Sequence, residues 1–319
     1  MRSTHVCGAV CEVEFGIAFQ SDKQPHEYVA LAQAVDRFPF AVVSVYNDML
    51  YQPALGPLLF MAPHLKHASL GPAAVNPYTL HPVEIAGQIA LLDMATDGRA
   101  YLGLARGAWL DKLGVGTPRP LRTLREAALL VRHVLAQRSG AFNGEVFQLQ
   151  AGAMLRYQPR RPNVPLTIGT WGLRTARLAG EIADEIKIGG SANPAMVRYL
   201  LPGIATGAAK AGRQPSCVGI CVGAVTVIDQ DARAARARAQ QEVAMYLPIV
   251  AHLDCSDSDK HVDPVDRFAF AGDASSIIRQ VEALAAAGAT RVEFGTPHGI
   301  GNPLEAIDLL GKHVLPYFT

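Results

Sequence analysis

The feature that most constrains this chain is an alternation. Short apolar stretches rich in valine are followed by amphipathic ones, from residue 13 almost to the end. Strand candidates run Val13 to Phe19, Ala41 to Tyr46, Ala68 to Val75 and Arg99 to Ala105, then Leu166 to Gly169, Glu185 to Ile188, Val218 to Ile228 and Thr290 to Phe294. Helix candidates lie between them. Pro25 to Asp36 is opened by proline, and a second starts at His81-Pro82 with Ile85, Ile89 and Leu92 on one face. Leu121 to Gln137, Leu173 to Ala179, Pro194 to Ala211 and Asp231 to Val250 follow. Asp273 caps the next, which Gly288 ends, and Asn302-Pro303 opens the last. Eight strands exceed the roughly five or six of an ordinary doubly wound sheet, so the expected fold is α/β, a closed (β/α)8 TIM barrel with insertions. The barrel is expected to fill residues 13–319 as one domain, with 1–12 a flexible N-terminal segment. Two excursions stand out: Phe142 to Leu155, with a hairpin signal at Asn143-Gly144, and the polar stretch Asp254 to Asp263.

In such a barrel, chemistry sits at the C-terminal ends of the strands. The residues there are Phe19-Gln20, Tyr46-Asn47-Asp48, Asn76 to His81, Arg106 to Asp111, Gly169 to Gly172, Gly189 to Asn193, Asp229 and Gly295 to Gly299. Neither a GxGxxG fingerprint after the first strand nor a GxxxxGK[ST] loop is present. The glycine loops Gly169-Thr170-Trp171-Gly172, Gly189-Gly190-Ser191 and Gly295-Thr296 offer backbone amides for a phosphate, or serve only as tight turns. Asp48 is a candidate acid or a turn residue. His81, at a helix start that disfavours its protonation, is a neutral hydrogen-bond donor or a structural cap. His298 in the last loop is a ligand contact or a surface residue. No HExxH, serine nucleophile elbow or paired-carboxylate signature occurs, which turns attention to a cofactor that brings its own chemistry.

Bulk properties remove other classes. With 29 basic and 28 acidic residues, net charge is +1, which gives nucleic acid binding little support; the one arginine cluster is Arg156 to Arg161. The five cysteines include two pairs four apart, Cys7/Cys11 and Cys217/Cys221. On a strand that spacing separates them by about 13 Å, too far for one zinc, so no metal site is expected. The odd cysteine count and the lack of a secretion signal suggest the cytoplasm, and no apolar run suits a membrane span.

Several segments together resemble the bacterial-luciferase-like oxidoreductase superfamily. They are FGIAF (Phe15 to Phe19), LGPAAVNPYTLHP (Leu70 to Pro82), LLD (Leu91 to Asp93), TDGRAYLGL (Thr96 to Leu104), AGEIADEIKIGGSANP (Ala179 to Pro194), FAFAGDASSI (Phe268 to Ile277), VEFGTPHG and HVLPYF (His313 to Phe318). Within it the nearest resemblance is to methylenetetrahydromethanopterin reductase and other coenzyme F420-dependent enzymes. It implies a non-prolyl cis peptide at Ala73-Ala74, forming a bulge behind the cofactor ring, with hydride transfer at the deazaflavin C5 or flavin N5. It implies cofactor contacts from Ala73, Ala74, Asn76, Arg106, Gly169, Thr170, Gly189, Gly190 and Ser191, with Asp48, Tyr46 and His81 as catalytic candidates. Trp109 is expected in a loop covering the site. A homodimer formed through early barrel helices is also implied.

The chain departs from the reductase pattern at four polar positions. The glutamate of FGIE is Ala18, the aspartate of GxGD is lost in Ala105-Arg106-Gly107-Ala108, Asp-His becomes Tyr46-Asn47-Asp48, and the arginine of NPYTRHP is Leu80. These changes point away from the pterin and toward a less polar substrate such as an imine or enone. Two alternatives stand beside F420-dependent oxidoreduction. One is an FMN-dependent luciferase-like monooxygenase with a flavin reductase partner; the other is a catalytically inactive cofactor-binding barrel.

Overall fold

The computed structural model describes residues 13–255, 262–295 and 302–318. The segment 1–12, Cys7 and Cys11 with it, and the loop holding Thr296 and His298 lie outside the described residues. Eight parallel strands form the barrel: β1 (Glu14–Phe19), β2 (Val42–Val45), β3 (Ser69–Pro72), β4 (Leu102–Leu104), β5 (Leu166–Gly169), β6 (Glu185–Gly189), β7 (Gly219–Ile228) and β8 (Arg291–Gly295). Each pairs with its neighbour in chain order, and β8 returns to pair with β1 through Glu14↔Arg291 to Ala18↔Gly295. Bridges Leu70↔Ala100 and Val75↔Leu104 close the ring between β3 and β4. A further parallel strand, Ala269–Gly272, adds to the end of β7. The FAFAG sequence that forms it carried no strand expectation, because its short run lies directly after a turn of helix.

The helices on the outside are α1 (Pro25–Val35), α2 (Leu55–Met61), α3 (Pro82–Ala95), α4 (Pro120–Leu135), α5 (Leu173–Ile182), α6 (Pro194–Lys210), α7 (Ala232–Val250), α8 (Pro264–Phe268), α9 (Ala274–Ala287) and α10 (Pro303–His313). Four starts share one device, a polar cap followed by proline. His81, Asn193, Asp263 and Asn302 each accept the amide two residues on, while proline fills the position that needs no donor. Helix α2 escaped the sequence pattern: Leu55–Met61 is seven residues of nearly unbroken apolarity with no polar face to mark a period. The excursion after α4 is a hairpin of Phe142–Asn143 with Gln148–Leu149. Its loop is fixed by Glu126 of α4, whose carboxylate accepts the amides of Glu145, Val146 and Phe147 at 2.7 to 3.1 Å. The arginine cluster is structural in part: Arg161 pairs with buried Asp93 and Arg160 with Asp97, both at 2.5 Å.

Helices α5 and α6 cross with their backbones in contact. A Cβ on Gly207 would strike the Arg177 carbonyl, and one on Gly180 the carbonyl of Ile204. Neither neighbour is a side-chain end that can move aside. Gly207→Ala is therefore expected to lower the unfolding free energy by about 3 kcal/mol, the upper part of the usual overpacking range, measured by urea denaturation.

Candidate active site at the barrel mouth

Strand alternation sorts the inward-facing residues into layers. Toward the middle of the barrel lie Thr167, Lys187, Arg291, Glu293, Ser44 and Tyr101, all buried. One layer nearer the C-terminal mouth the inward positions are Gly189, Gly223 and Gly295, with Ala18 on β1 and Gly169 at the end of β5. A Cβ on Gly223 would lie 3.4 Å from Glu293, whereas one on Gly189 would meet nothing within 4 Å. Among the described residues the inward positions of this layer are therefore small, with Gly189 facing open space and Gly223 and Gly295 lying against Glu293 and Tyr46 above the layer of buried charge.

The charged layer is closely hydrogen bonded. Glu293 accepts from Lys187, from Arg291 Nη1 at 2.9 Å and from Ser44 Oγ at 2.5 Å. Arg291 forks onto Glu185 at 2.8 and 2.5 Å, and Thr167 donates to the same carboxylate at 3.0 Å. Tyr101 lies 2.6 Å from Ser44 Oγ and donates to the Gly71 carbonyl at 3.1 Å, tying the layer to β3. Burial drives the Glu293 carboxyl upward, but Lys187 and Arg291 outweigh it and bring the pKa from 4.5 down to about 2. Burial, then the Glu293 charge, pushes the Tyr101 hydroxyl well above its ordinary range. Burial also raises the Cys221 thiol, which fits an inert interior cysteine. Lys187 Nζ reaches 5.7 Å from the Tyr46 ring centroid, where the charged layer meets the mouth.

On the β3 side of the recess, the peptide bond between Ala73 and Ala74 is cis, at the position the resemblance implied. The bulge is held on both sides: Ala73 N donates to Val45 O at 2.8 Å, Val75 N to Gly103 O at 3.0 Å, and Ala105 N to Val75 O at 3.0 Å. Asn76, buried just beyond, accepts the amides of Tyr78 and Thr79 at 3.0 Å each, so its carbonyl oxygen organises the turn. Its side chain packs against Gly107, where φ is +90° and a Cβ would lie 3.0 Å from Asn76 Cβ. His81 is exposed; Nδ1 accepts the Val83 amide at 3.2 Å, and the ring meets Phe147 of the hairpin edge-on at 5.5 Å. This histidine is a helix cap. Arg106 is exposed in the loop after β4, followed by Trp109 with its ring 6.0 Å from Lys112 Nζ.

Tyr46 and Asp48 follow β2. A Cβ on Gly295 would abut the Tyr46 hydroxyl, which places that hydroxyl at the recess. Asp48 Oδ2 accepts from Gln20 Nε2 at 3.0 Å, and Asn47 Oδ1 accepts the Ala54 amide at the start of α2. Across the mouth, the loops after β5 and β6 are joined by Trp171 Nε1 donating to Gly189 O at 2.9 Å. Several of their amides are occupied internally. Thr170 N bonds Lys187 O, Gly172 N bonds Thr170 Oγ1, and Gly190 N and Ser191 N share Gly223 O at 2.6 and 3.1 Å. Ser191 is buried, its Oγ accepting the Asn193 amide at 3.2 Å. The β5 loop and the exposed Gly189 and Gly190 therefore remain at the mouth surface, while the Ser191 end is part of the wall. Among the described residues no group of three or more His, Cys, Asp or Glu could hold a metal, and no helix is long and apolar enough to cross a membrane.

Residues 8–291 match the family described as luciferase-like monooxygenase. The chain belongs to that family. The 5,10-methylenetetrahydromethanopterin reductase of Methanopyrus kandleri is 27% identical, over 97% of this chain and 99% of that one. The solved coenzyme F420-dependent tetrahydromethanopterin reductase from the same organism superposes with a TM-score of 0.83 at 24% identity, covering 97% of this chain and 100% of that chain. A type II Baeyer–Villiger monooxygenase, the oxygenating constituent of 3,6-diketocamphane monooxygenase from Pseudomonas putida in complex with FMN, superposes at 0.75 with 16% identity, over 95% and 98%.

Within this luciferase-like barrel, the charged interior carried no functional expectation from sequence, and Gln20 was read only as one of the residues that end β1. Lys187, Arg291 and Glu293 sit at alternate strand positions, but only pairing across β6, β7 and β8 shows that they face one another. The polar members of the alternation in EIKIG and RVEFG were the available signal, since a strand with both faces covered is ordinarily apolar throughout.

Removing one partner of such a layer leaves a buried charge unpaired. Glu293→Gln is expected to cost about 3 kcal/mol, and the added loss on Lys187→Met in that background to be smaller than in wild type. Because the folded Glu293 titrates below its unfolded value of 4.5, its contribution is complete above that pH and is lost as pH falls toward 2. Urea unfolding between pH 5 and 2.5 should therefore show a steeper loss for wild type than for Glu293→Gln.

Proposed function

We propose that the protein is a coenzyme F420-dependent oxidoreductase, moving a hydride between the deazaflavin C5 and a small organic electrophile such as an imine or enone. The end-to-end likeness to an F420-dependent reductase supports the cofactor class. The observation that carries the site is the recess itself. A flat ring needs room and a firm wall, and here Gly189, where a Cβ would meet nothing within 4 Å, leaves room, while the held chain at Ala73-Ala74 supplies the wall. Ala73, Ala74 and Asn76 would hold the ring, and Gly169, Thr170, Gly189, Gly190 and the Ser191 turn, with Arg106, its tail. When bound, the deazaflavin supplies or accepts the hydride. This chain orients the reactants and excludes water. Tyr46 and Asp48 stand where a proton or a polar substrate group would be met. Ala18, fully buried, and Leu80, packed on the core, make the pocket less polar than the reductase pattern.

The FMN-bound structural relative supports a second reading, an FMN-dependent monooxygenase fed by a flavin reductase. Parallel equilibrium binding of oxidised F420 and FMN separates the two. The protein's only tryptophans, Trp109 and Trp171, both lie in mouth loops, so quenching of their fluorescence reports occupancy. Tight F420 binding with weak FMN binding is expected; preference for FMN selects the oxygenase, and binding of neither removes both. Gly189→Leu, which fills the recess, should weaken F420 binding by at least about tenfold without shifting the melting temperature.

A homodimer through early helices is part of the same proposal. Phe60 on α2 and Leu91 and Met94 on α3 are exposed apolar side chains on adjacent elements. Sedimentation should show a dimer that Leu91→Glu/Met94→Glu dissociates, whereas a monomeric wild type overturns it.

A further inference from the structure

Strand β2 ends on two inward residues that meet the ionic layer differently. Ser44 Oγ donates to the Glu293 carboxylate at 2.5 Å, and two residues on, the Tyr46 ring lies 5.7 Å from the Lys187 ammonium. Glu293 leans across β1, where a Cβ on its register partner Gly16 would lie 3.3 Å from its Cγ. Its carboxylate is shared among Lys187, Arg291 and Ser44, while Arg291 also forks onto Glu185 at the start of β6. The layer sums to zero charge but is not symmetric along the barrel. Glu185 and Arg291 open their strands, Glu293 is turned to Ser44, and Lys187 is the member that reaches Tyr46. Gly295 is the next inward position after Glu293, and a Cβ there would lie 2.5 Å from the Tyr46 hydroxyl, so that hydroxyl stands inside the mouth. Of the strands paired with β2, β3 has no charged residue and β1 only Glu14, at its opposite end. Asp48 follows in the loop, accepting from Gln20.

We infer that Lys187 is a positioning residue whose ammonium, held against the Tyr46 ring, equips the Tyr46 hydroxyl to give the proton that completes reduction of a neutral carbonyl or enone. The inference rests on the oxidoreductase reading above and deepens it. The acceptor carbon gains the hydride and a C–H bond, the π pair moves to the carbonyl oxygen, and that oxygen takes the proton as the Tyr46 O–H bond breaks. The product is an alcohol or enol, and the tyrosinate regains its proton from water once the product leaves. A phenolate spreads its charge into its ring, so a cation at the ring favours the anion over the neutral phenol. Glu293 opposes this, but a carboxylate divided among three donors cancels only part of the ammonium's field.

The test titrates the Tyr46 phenol by ultraviolet difference absorbance in full-length protein without cofactor. Its curve is the difference between each protein and the same protein carrying Tyr46→Phe, which separates it from the other eight of the nine tyrosines. Lys187→Met is expected to raise the midpoint by at least about one pH unit, and Glu293→Gln to lower it. Lys187→Arg should keep most of the wild-type value. Opposite signs for two neighbouring variants are not what a merely structural role produces. Should Lys187→Met unfold, Lys187→Met/Glu293→Gln, which leaves no carboxylate without its partner, is compared with Glu293→Gln in its place. In a second arm, reduced F420 is offered cyclohexanone and cyclohexenone, and Tyr46→Phe should slow turnover at least about a hundredfold. An unchanged midpoint in Lys187→Met, shifts of one sign in both variants, or a Tyr46→Phe protein as fast as wild type would overturn the inference. A wild type that binds F420 but reduces neither probe overturns the carbonyl and enone assignment. One that binds no F420 removes the cofactor reading, and the cofactor-free titration tells either result from failure of the Lys187–Tyr46 link.

Discussion

The interaction on which the rest of this barrel depends is the meeting of Glu293 with Lys187 and Arg291 inside the ring of strands. Barrels of this kind are ordinarily filled by layers of branched apolar side chains. Here the middle of the barrel contains two cations and two carboxylates, closed on themselves with Ser44, Thr167 and Tyr101 as neutral links. Ions taken from water are retained only when their hydrogen bonds are met, so β2, β5, β6 and β8, with Tyr101 just ahead of β4, are held in register by what their inward residues must bond. A one-residue slip of β8 would turn Arg291 and Glu293 outward and put Val292 in their place. The ionic layer is therefore a fastening for strand register as well as a filling.

Above it the glycines have a reason. Lys187 occupies the space at the mouth edge up to the Tyr46 ring, and side chains at 223 and 295 would stand on Glu293 and on Tyr46, while Gly189 faces open space. Leaving them out creates a recess with a polar floor, bounded by the Ala73-Ala74 turn on one side and the Trp171–Gly189 contact on the other. The recess and the charged layer are thus two consequences of one inward-facing pattern. Along β5, β6 and β8 polar residues come first and a glycine follows. The rim is different in kind. Gln20, Asp48, Asn47 and Asn76 each bond backbone or one another, so the polar groups that would touch a substrate are set by loop turns and not by the strands.

Much of this was legible in the sequence. All eight barrel strands lie where the apolar runs placed them, and the cap-proline pairs at His81, Asn193 and Asn302 mark helix starts because both residues act locally. The cis bond at Ala73-Ala74 followed from resemblance and not from composition, since nothing in two alanines announces it. Elements without a period were missed: α2 is apolar all round, and the strand Ala269–Gly272 is too short to alternate. The candidate site residues lie at strand ends and in the loops after them, but their partners were not readable. Ser191 and the Gly190 amide turn inward to Gly223, a partner more than thirty residues away in sequence, whereas His81 takes the local cap reading at the start of α3.

The sequence by itself determined the alternation, the strand and helix starts, and the glycines that empty the mouth, because periodicity, capping and the absence of a Cβ are properties of neighbouring residues. Only the tertiary structure decided which charges face each other. Glu293 lies 106 residues from Lys187 and 249 from Ser44, and Gln20 lies 28 from Asp48. Such pairs exist only once the barrel closes, when the curvature of eight parallel strands brings their inward positions to a common axis.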